Sequence, residues 1–173
     1  SGVLPAVLFA LEEEFGLDEA TVLNGLFTAG AIGCLLMRNA SVAGAEAGCQ
    51  AEVGSASAMA AAAAVAMFGG SPQQSLDAAS IALSNMLGLV CDPIAGLVEA
   101  PCQSRNAAGA ANALTSAESV LSGIKAVVPF SEMAEAMYKV GKRLAPELRE
   151  TALGGCAATP TGCAYKCSIF GCK

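Results

Sequence analysis

The feature that most constrains the fold is an uncharged run of small residues at positions 56–68, in which eight of the residues are alanine. Alanine is the strongest helix former, and its short side chain lets neighbouring helices approach closely. Strands are instead enriched in β-branched and aromatic residues, which are scarce in this run. The run is also too short to span a bilayer, which takes about 20 apolar residues. It therefore predicts a buried helix of a tightly packed, soluble domain.

Glycine and proline divide the rest of the chain into further helical segments. Asp18 is placed to cap the second helix, and Ser71, Pro72 and Gln74 have the pattern of a capping box. Two prolines exclude a continuous helix through residues 91–101. The second helix is apolar nearly all round, and we expect it to be buried. The sequence predicts an all-α compact bundle of about six to eight helices, over residues 3–15, 19–37, 50–68, 71–88, 103–121 and 131–144.

The C-terminal end differs in composition from the helical part. From Gly154 onward it is rich in glycine, threonine, proline and cysteine, and no helical pattern is evident. We therefore expect a helical catalytic domain over residues 1–153 and an irregular, Cys-rich tail over residues 154–173. The sequence begins Ser-Gly-Val without methionine, and we expect the helical domain to be truncated at its N-terminal side.

Charge and composition exclude several classes of function. The net charge is −6 and no basic stripe is present, so we expect no nucleic acid as a partner. The chain contains no histidine, which excludes a Ser-His-Asp triad, a Cys-His dyad and a histidine-based zinc site within it. Eight cysteines in an alanine-rich helical chain do not resemble a small disulfide scaffold. Reduced thiols that ligate a metal fit better, and they predict a cytoplasmic protein. Because the apolar runs are too short to span a bilayer, we also expect no membrane as a partner.

Three cysteines fall at predicted breaks in helical structure. Cys49 follows a small-residue loop, Cys91 follows a helix end, and Cys102 opens the helix after Pro101. Unpaired backbone N–H groups at a helix start lower the pKa of a thiol and can bind an anionic group. The three are too widely spaced for a compact ferredoxin motif, so spacing alone leaves open whether they are metal ligands or small buried apolar residues. We expect Cys34, within a helix, to be a buried apolar residue.

Several sequence motifs resemble one enzyme family. They are residues 39–54, 91–102, 105–106, 137–142 and 148–155, and they occur in order within a similarity that runs from about residue 2 to about residue 162. The family is that of the iron–sulfur-dependent bacterial L-serine dehydratases, and the resemblance is closest to the alpha chain of the two-chain form. It implies conversion of L-serine to pyruvate and ammonia, a beta chain or regulatory domain as a partner, and, we expect, a homo-oligomer.

The same resemblance implies a [4Fe–4S] cluster held by Cys49, Cys91 and Cys102, with one iron free of protein ligand. Such an iron binds the substrate hydroxyl and acts as a Lewis acid on a poor leaving group. We expect no pyridoxal phosphate, although many serine dehydratases use it. None of the five lysines lies in a glycine-rich βαβ setting that would bind the cofactor phosphate.

The reaction also needs a base and a group that binds the substrate carboxylate. Glu46 and Glu52 lie three residues on either side of Cys49, so either is a candidate for the base or for binding the substrate ammonium. Arg105 is a candidate clamp for the carboxylate, and Ser41, with Asn39, a candidate for further substrate contacts. The open alternatives are a hydrogen-bonded structural role for each glutamate and an ion pair for Arg105.

The sequence departs from the family pattern at both ends. Similar proteins carry an upstream segment rich in threonine, proline, glycine and serine that helps to form the substrate site, and the sequence begins after it. Four further cysteines, Cys156, Cys163, Cys167 and Cys172, are not part of the common pattern. We favour a flexible tail without its own cluster, and leave open a tail that reaches the cluster, a separate metal site or free thiols.

Related functions stay open at this point. A cluster-dependent L-cysteine desulfidase or threonine dehydratase would use the same open iron in an analogous elimination. A non-catalytic cluster-binding subunit or redox sensor would bind iron without a substrate. Comparison of serine turnover with cysteine turnover distinguishes a serine dehydratase from the related lyases. Binding of serine to the reduced cluster distinguishes an enzyme from a non-catalytic cluster-binding protein.

We expect this chain alone, reconstituted with iron and sulfide, to be brown but almost inert toward L-serine. Free iron polarises the hydroxyl, but the segment that helps to orient the substrate is not in the sequence, and loss of orientation and of a base each cost several orders of magnitude in rate. Pyruvate release measures the outcome. Turnover at the rate of a longer protein that includes the upstream segment would contradict this expectation and would favour a carboxylate of this chain as the base.

Overall fold

The structure, a computed structural model, describes residues 1–171, and within them the chain forms eight α-helices and no strand. This confirms the all-α prediction. The helices are α1 (Val3–Phe15), α2 (Glu19–Asn39), α3 (Gly44–Ala47), α4 (Ser55–Met67), α5 (Pro72–Met86), α6 (Cys102–Leu121), α7 (Phe130–Arg143) and α8 (Pro160–Phe170).

Helix α4 is the centre of the bundle and contacts α1, α2, α5 and α6. The four alanines from Ala60 to Ala63 have no exposed surface at all. Small residues on the neighbouring helices allow this close contact. A Cβ added at Gly25 of α2 would lie 2.8 Å from Met67 Cγ, and one added at Gly109 of α6 would lie 2.8 Å from Val53 Cγ1. The alanine run is therefore the buried helix that the sequence predicts.

The predicted helix over residues 50–68 is not one regular helix. Residues Gln50–Gly54 form a π-helical turn, and α4 begins only at Ser55. π-Helical turns occur frequently at functional sites, where they change the direction of side chains. Here the turn carries Glu52 and directly follows Cys49.

The predicted start signals of two helices are confirmed. Asp18 accepts a hydrogen bond from Thr21 N at 2.9 Å at the start of α2. Ser71 and Gln74 form both hydrogen bonds of a capping box, at 3.3 Å and 2.9 Å, at the start of α5. These local hydrogen bonds fix where the helices begin.

The prediction that the second helix is buried on all sides is wrong. One stripe of α2 packs on α4, but Phe27 on the opposite face is 78% exposed and Met37 is 61% exposed. The sequence shows that the helix is apolar nearly all round, but its neighbours, chiefly α4, cover only one side of it. Cys34, expected to be buried, lies on this exposed face. By length and composition alone, α2 could span a membrane. Of its most apolar stretch of 18 residues, 28% is buried inside the structure.

The prediction of an irregular tail is also wrong over the described residues. Gly155–Ala158 forms a 3-10 turn, and α8 follows it. The Thr159 hydroxyl accepts a hydrogen bond from Gly162 N at 3.0 Å, and Pro160 occupies the first helical position. A capping residue followed by proline is a typical helix start, but the glycine- and cysteine-rich composition of the tail made it hard to recognise. The boundary at residue 154 stays a prediction, and Cys172 lies outside the described residues.

The packing of α4 predicts the effect of a larger side chain there. Ala61→Leu should lower the free energy of unfolding by about 1–3 kcal/mol, because a fully buried alanine has no room for the added carbons. Urea denaturation measures the difference. The control is Ala111→Leu at an exposed position of α6, which should change stability by less than about 0.5 kcal/mol. Equal losses of stability in both variants would contradict the conclusion that α4 is the closely packed centre of the bundle.

Candidate metal centre

A tight turn and a buried glutamine position Cys49 between α3 and the π-helical turn. Gly48 has a φ of +78°, and a Cβ there would lie 2.8 Å from the Leu89 carbonyl oxygen, so the turn requires glycine. Gln50 N donates to that same oxygen at 2.9 Å. The buried Gln50 side chain donates to the Met137 carbonyl oxygen at 3.0 Å and accepts a hydrogen bond from Gly88 N at 2.8 Å.

Backbone hydrogen bonds to a distant segment position Cys91. Its N–H donates to the Leu148 carbonyl oxygen at 2.9 Å, and its own carbonyl oxygen accepts a hydrogen bond from Glu150 N at 2.7 Å. The two segments therefore pair like a short piece of parallel sheet, with Cys91 opposite Arg149. Cys102 is the first residue of α6, where the backbone N–H groups are not used within the helix.

The structure brings the three predicted cysteines together. Cys49 and Cys91 are 3% and 4% exposed, and their thiols lie beside each other. The interaction between the two thiols lowers the pKa of Cys49 and raises the pKa of Cys91. Cys102 is half-buried, and its burial, followed by the negative charge of Cys49, raises its pKa.

Gly44 leaves a small space beside this cysteine group. A Cβ added at Gly44 would lie 3.2 Å from Cys91 Sγ, 3.3 Å from Glu52 Oε2 and 3.6 Å from Glu150 Oε2. One thiol and two carboxylates thus face the same buried glycine. We call this space the Gly44 pocket. Any larger residue at this position would fill it.

Arg105 is held in an ion pair at the edge of the cysteine group. Its Nη1 donates to Asp92 Oδ1 and, at 2.8 Å, to the Val90 carbonyl oxygen. Asp92 is 2% exposed, and its other oxygen accepts a hydrogen bond from Cys156 N at 2.6 Å. Burial alone would raise the pKa of Asp92, but the hydrogen bonds from Arg105 and Cys156 outweigh it and lower the pKa. Of the two roles considered for Arg105, the observed contact is the ion pair.

Glu46 and Ser41 form a hydrogen-bonded pair. The Ser41 hydroxyl donates to Glu46 Oε2 at 2.6 Å, and Ser41 is 7% exposed. Asn39, in contrast, donates back to the Leu35 carbonyl oxygen at 2.8 Å and lines a cavity of about 550 Å³ between α2, α5 and α7. The structure thus places Ser41 beside Glu46 and directs Asn39 elsewhere.

Sequence reasoning missed three residues at this site: Asp92, Arg149 and Glu150. The Arg149 Nη1 donates to the Glu46 carbonyl oxygen at 3.4 Å, and its buried Nε has no hydrogen-bond partner among the described residues. Glu150 has a φ of +65°, which directs the chain sharply beside Cys91. All three lie within motifs that carry the family resemblance, but only the tertiary fold shows that they meet.

Three thiols without histidine are a donor set that an iron–sulfur cluster can use. Within residues 1–171 no three cysteine, aspartate or glutamate side chains are close enough to hold one ion. Cluster thiolates bind different iron atoms and stand further apart than the ligands of one ion, and they need no histidine. The Gly44 pocket and the unpartnered Arg149 Nε are each consistent with a bound group that the chain itself does not supply.

Comparison with known proteins defines the class. The family profile "Serine dehydratase alpha chain" matches residues 1–157. The chain therefore belongs to the serine dehydratase alpha chain family, as the sequence motifs predict.

Individual relatives agree with the family match. The chain is 54% identical over 171 residues to a probable L-serine dehydratase, alpha chain, of Bacillus subtilis, covering 99% of this chain and 57% of that protein. It is 53% identical to the corresponding Latilactobacillus sakei protein, covering 99% of this chain and 82% of the relative. It is 54% identical to the L-serine dehydratase, alpha chain, of Peptoniphilus asaccharolyticus, covering 94% of this chain and 56% of the relative. The chain thus spans little more than half the length of two of these three.

The ion pair at Asp92 predicts a loss of stability in Asp92→Asn. Measured on protein prepared without iron, the free energy of unfolding at neutral pH should fall by about 3 kcal/mol, because the partly buried Arg105 loses its carboxylate. The lowered pKa of Asp92 means that this stabilisation is present above the unfolded-state pKa and is lost as the pH falls through the folded-state pKa. The two proteins should therefore converge in acid.

The control for this variant is Glu135→Gln. Glu135 pairs with Lys139 at 2.5 Å on the exposed surface of α7, and such a pair contributes less than about 1 kcal/mol. Equal losses in both variants at neutral pH would mean that the Asp92 pair has no special structural role.

Proposed function

We propose that this chain is the cluster-binding catalytic part of an L-serine dehydratase, which converts L-serine to pyruvate and ammonia. The observation that carries the proposal is the convergence of Cys49, Cys91 and Cys102 beside the carboxylates of the Gly44 pocket. Membership of the serine dehydratase alpha chain family supports the same reaction. We further propose a beta chain as partner and a cytoplasmic location, where thiols stay reduced.

Three thiolates of this chain would hold the cofactor. Cys49, Cys91 and Cys102 would bind a [4Fe–4S] cluster, which would supply a Lewis acid for the departing hydroxyl group. The neighbouring Cys91 thiol lowers the pKa of Cys49, which favours the thiolate form that binds iron. Arg105 lies close enough to Cys49 to lower its pKa further, and the Asp92 ion pair holds Arg105 in that position.

The elimination removes a proton from Cα and hydroxide from Cβ, and the aminoacrylate that forms then hydrolyses to pyruvate and ammonia. We assign proton removal to Glu52 or Glu150, whose carboxylate oxygens both face the Gly44 pocket next to Cys91. A base must come within hydrogen-bonding distance of the proton that it accepts. Among the carboxylates named here, these two are the ones that share a space with a cluster thiol.

Charged groups of the chain are also available for the two ends of the substrate amino acid. Glu46, oriented by the Ser41 hydroxyl, would bind the substrate ammonium. Arg149, with its buried Nε unpartnered, would bind the substrate carboxylate. Arg105 would support this indirectly, since its Nη1 is already committed to Asp92 and to the Val90 carbonyl oxygen.

Cysteine variants test the cluster assignment. After anaerobic reconstitution with iron and sulfide, Cys49→Ser should lose the brown chromophore and most of the bound iron, because one ligand of three is missing. Cys34→Ser is the matched control, since Cys34 is an exposed thiol on α2. Visible absorbance and iron content measure the outcome. A full chromophore in Cys49→Ser, or its loss in Cys34→Ser, would overturn the assignment.

Glutamate variants test the base in a full-length dehydratase that contains this chain. If Glu52 is the base, Glu52→Gln should lower kcat for L-serine by about a hundredfold to ten-thousandfold while the cluster absorbance stays unchanged. Glu150→Gln examines the second candidate in the same way, and Glu132→Gln, exposed on α7, is the control. Full activity in both Glu52→Gln and Glu150→Gln would overturn the assignment. If the full-length enzyme turned over L-cysteine or L-threonine faster than L-serine, that amino acid would be assigned as the substrate instead.

A further inference from the structure

Gln50 is a polar residue inside the core, with only 1% of its surface exposed. Its side-chain amide carries donors and an acceptor, and burying such a group is costly unless both kinds find partners. Both do so here, since Nε2 donates to the Met137 carbonyl oxygen at 3.0 Å and Oε1 accepts a hydrogen bond from Gly88 N at 2.8 Å. Gln50 therefore joins its own π-helical turn to α7 and to the segment that follows α5.

The segment that Gln50 holds leads directly to Cys91. Gln50 N donates to the Leu89 carbonyl oxygen at 2.9 Å, so residues 88 and 89 each make one hydrogen bond to this glutamine. Cys91 follows two residues later, and Cys49 directly precedes Gln50. The backbone hydrogen bonds of Cys91 itself go to residues 148–150 and not to the turn that carries Cys49. Gln50 thus supplies a direct connection between the two segments that carry these cysteines.

Close packing leaves Gln50 little freedom to move. A Cβ added at Gly141 of α7 would lie 2.4 Å from Ala47 Cβ and 3.1 Å from Gln50 Nε2. A Cβ added at Gly48 would lie 2.6 Å from Leu144 Cδ1, just after the end of α7. Glycine at these two positions lets α7 and the turn approach closely enough for the hydrogen bonds to form. A side chain fixed by packing and by hydrogen bonds holds its neighbours in a defined geometry.

We infer that Gln50 is a positioning residue that sets the spacing of Cys49 and Cys91 before any metal binds. Without its amide, Gly88 N loses its partner, and the segment that leads to Cys91 is free to move away from the turn that carries Cys49. Groups that orient metal ligands typically change metal affinity by about tenfold to a hundredfold. The identity of the bound group as a cluster rests on the proposed function, whereas the spacing of the two thiols does not.

The alternative is that Gln50 only stabilises the fold, and Ser75 offers a matched control for it. The buried Ser75 hydroxyl donates to the Ala62 carbonyl oxygen at 3.2 Å and joins α5 to α4. Ser75 lies near the start of α5, whereas Gly88 follows its far end. Loss of this hydroxyl should therefore lower the stability of the core without moving the thiols.

Phenylarsine oxide measures the spacing of the two thiols without iron. It bridges two neighbouring thiols by forming two As–S bonds and releases its oxygen as water. The test protein keeps Cys49 and Cys91 and has serine at every other cysteine. In it, Gln50→Met, which removes the amide at similar side-chain length, should weaken arsenical binding by about tenfold to a hundredfold. Ser75→Ala should leave the affinity unchanged, and Cys91→Ser should abolish the bridged adduct in intact-mass spectra.

Urea denaturation of the same proteins separates spacing from stability. Gln50→Met and Ser75→Ala should both lower the urea midpoint, because each removes a buried hydrogen bond. Unchanged arsenical binding in Gln50→Met would overturn the proposal and leave Gln50 a structural role alone. Equal weakening in Gln50→Met and Ser75→Ala would also overturn it, since loss of core stability would then explain the effect.

Hydrogen exchange tests the contact without any substitution, and it decides the matter even if Gln50→Met does not fold. In the iron-free chain the Gly88 amide, whose acceptor is the buried Gln50 Oε1, should exchange at least about a hundredfold more slowly than an unstructured amide. The amide of Val127, a residue that is 98% exposed, is the control and should exchange freely. Exchange of Gly88 as fast as that of Val127 would overturn the proposal.

The loaded protein connects Gln50 to the cluster itself. After anaerobic reconstitution with iron and sulfide, the brown chromophore of Gln50→Met should be lost to EDTA about ten times faster than that of the unmodified chain, and that of Ser75→Ala at the unmodified rate. Equal loss rates in Gln50→Met and the unmodified chain would overturn the proposal. Absence of a chromophore from the unmodified chain would instead overturn the proposed function, and arsenical binding would still decide the role of Gln50.

Discussion

The close contact of four helices around α4 is the constraint on which the rest of the structure depends. Because the alanines from Ala60 to Ala63 leave no exposed surface, the backbones of the bundle approach closely and the core has almost no room for functional side chains. Reactive groups are therefore confined to places where the helices break. The π-helical turn before α4, the loop at Cys91 and the start of α6 are three such breaks, and each supplies one cysteine.

These breaks are joined by backbone hydrogen bonds and one buried ion pair, which connect segments that are distant in sequence. Cys91 pairs with residues 148–150, and Asp92 joins Arg105 at the start of α6 to the backbone of Cys156. The C-terminal region thus forms part of the wall of the site. A buried carboxylate with two hydrogen-bond partners fixes geometry more strongly than apolar contacts alone, because each partner has a required direction.

Features that depend on hydrogen bonds between nearby residues could be predicted from the sequence, whereas features that depend on contacts between distant segments could not. Caps at Asp18 and Ser71 act over three residues, so their helices were placed correctly. The exposed face of α2 was mispredicted because apolar composition does not say how many neighbours a helix has. Helix α8 was missed because glycine and cysteine content concealed the cap at Thr159. The ion pair of Asp92 and the approach of Glu150 depend on contacts between distant segments, and no spacing rule reveals those.

The proton states of the three thiols of the cysteine group depend on one another. Ionisation of Cys49 raises the pKa of both Cys91 and Cys102, and the carboxylate of Glu52 acts in the same direction. Without a cation, therefore, one thiolate discourages the next. The positive charge of Arg105 is already balanced by Asp92, so the chain supplies little to offset three thiolates. A cationic iron centre would remove this mutual repulsion and release protons as it binds, because thiolates rather than thiols are metal ligands.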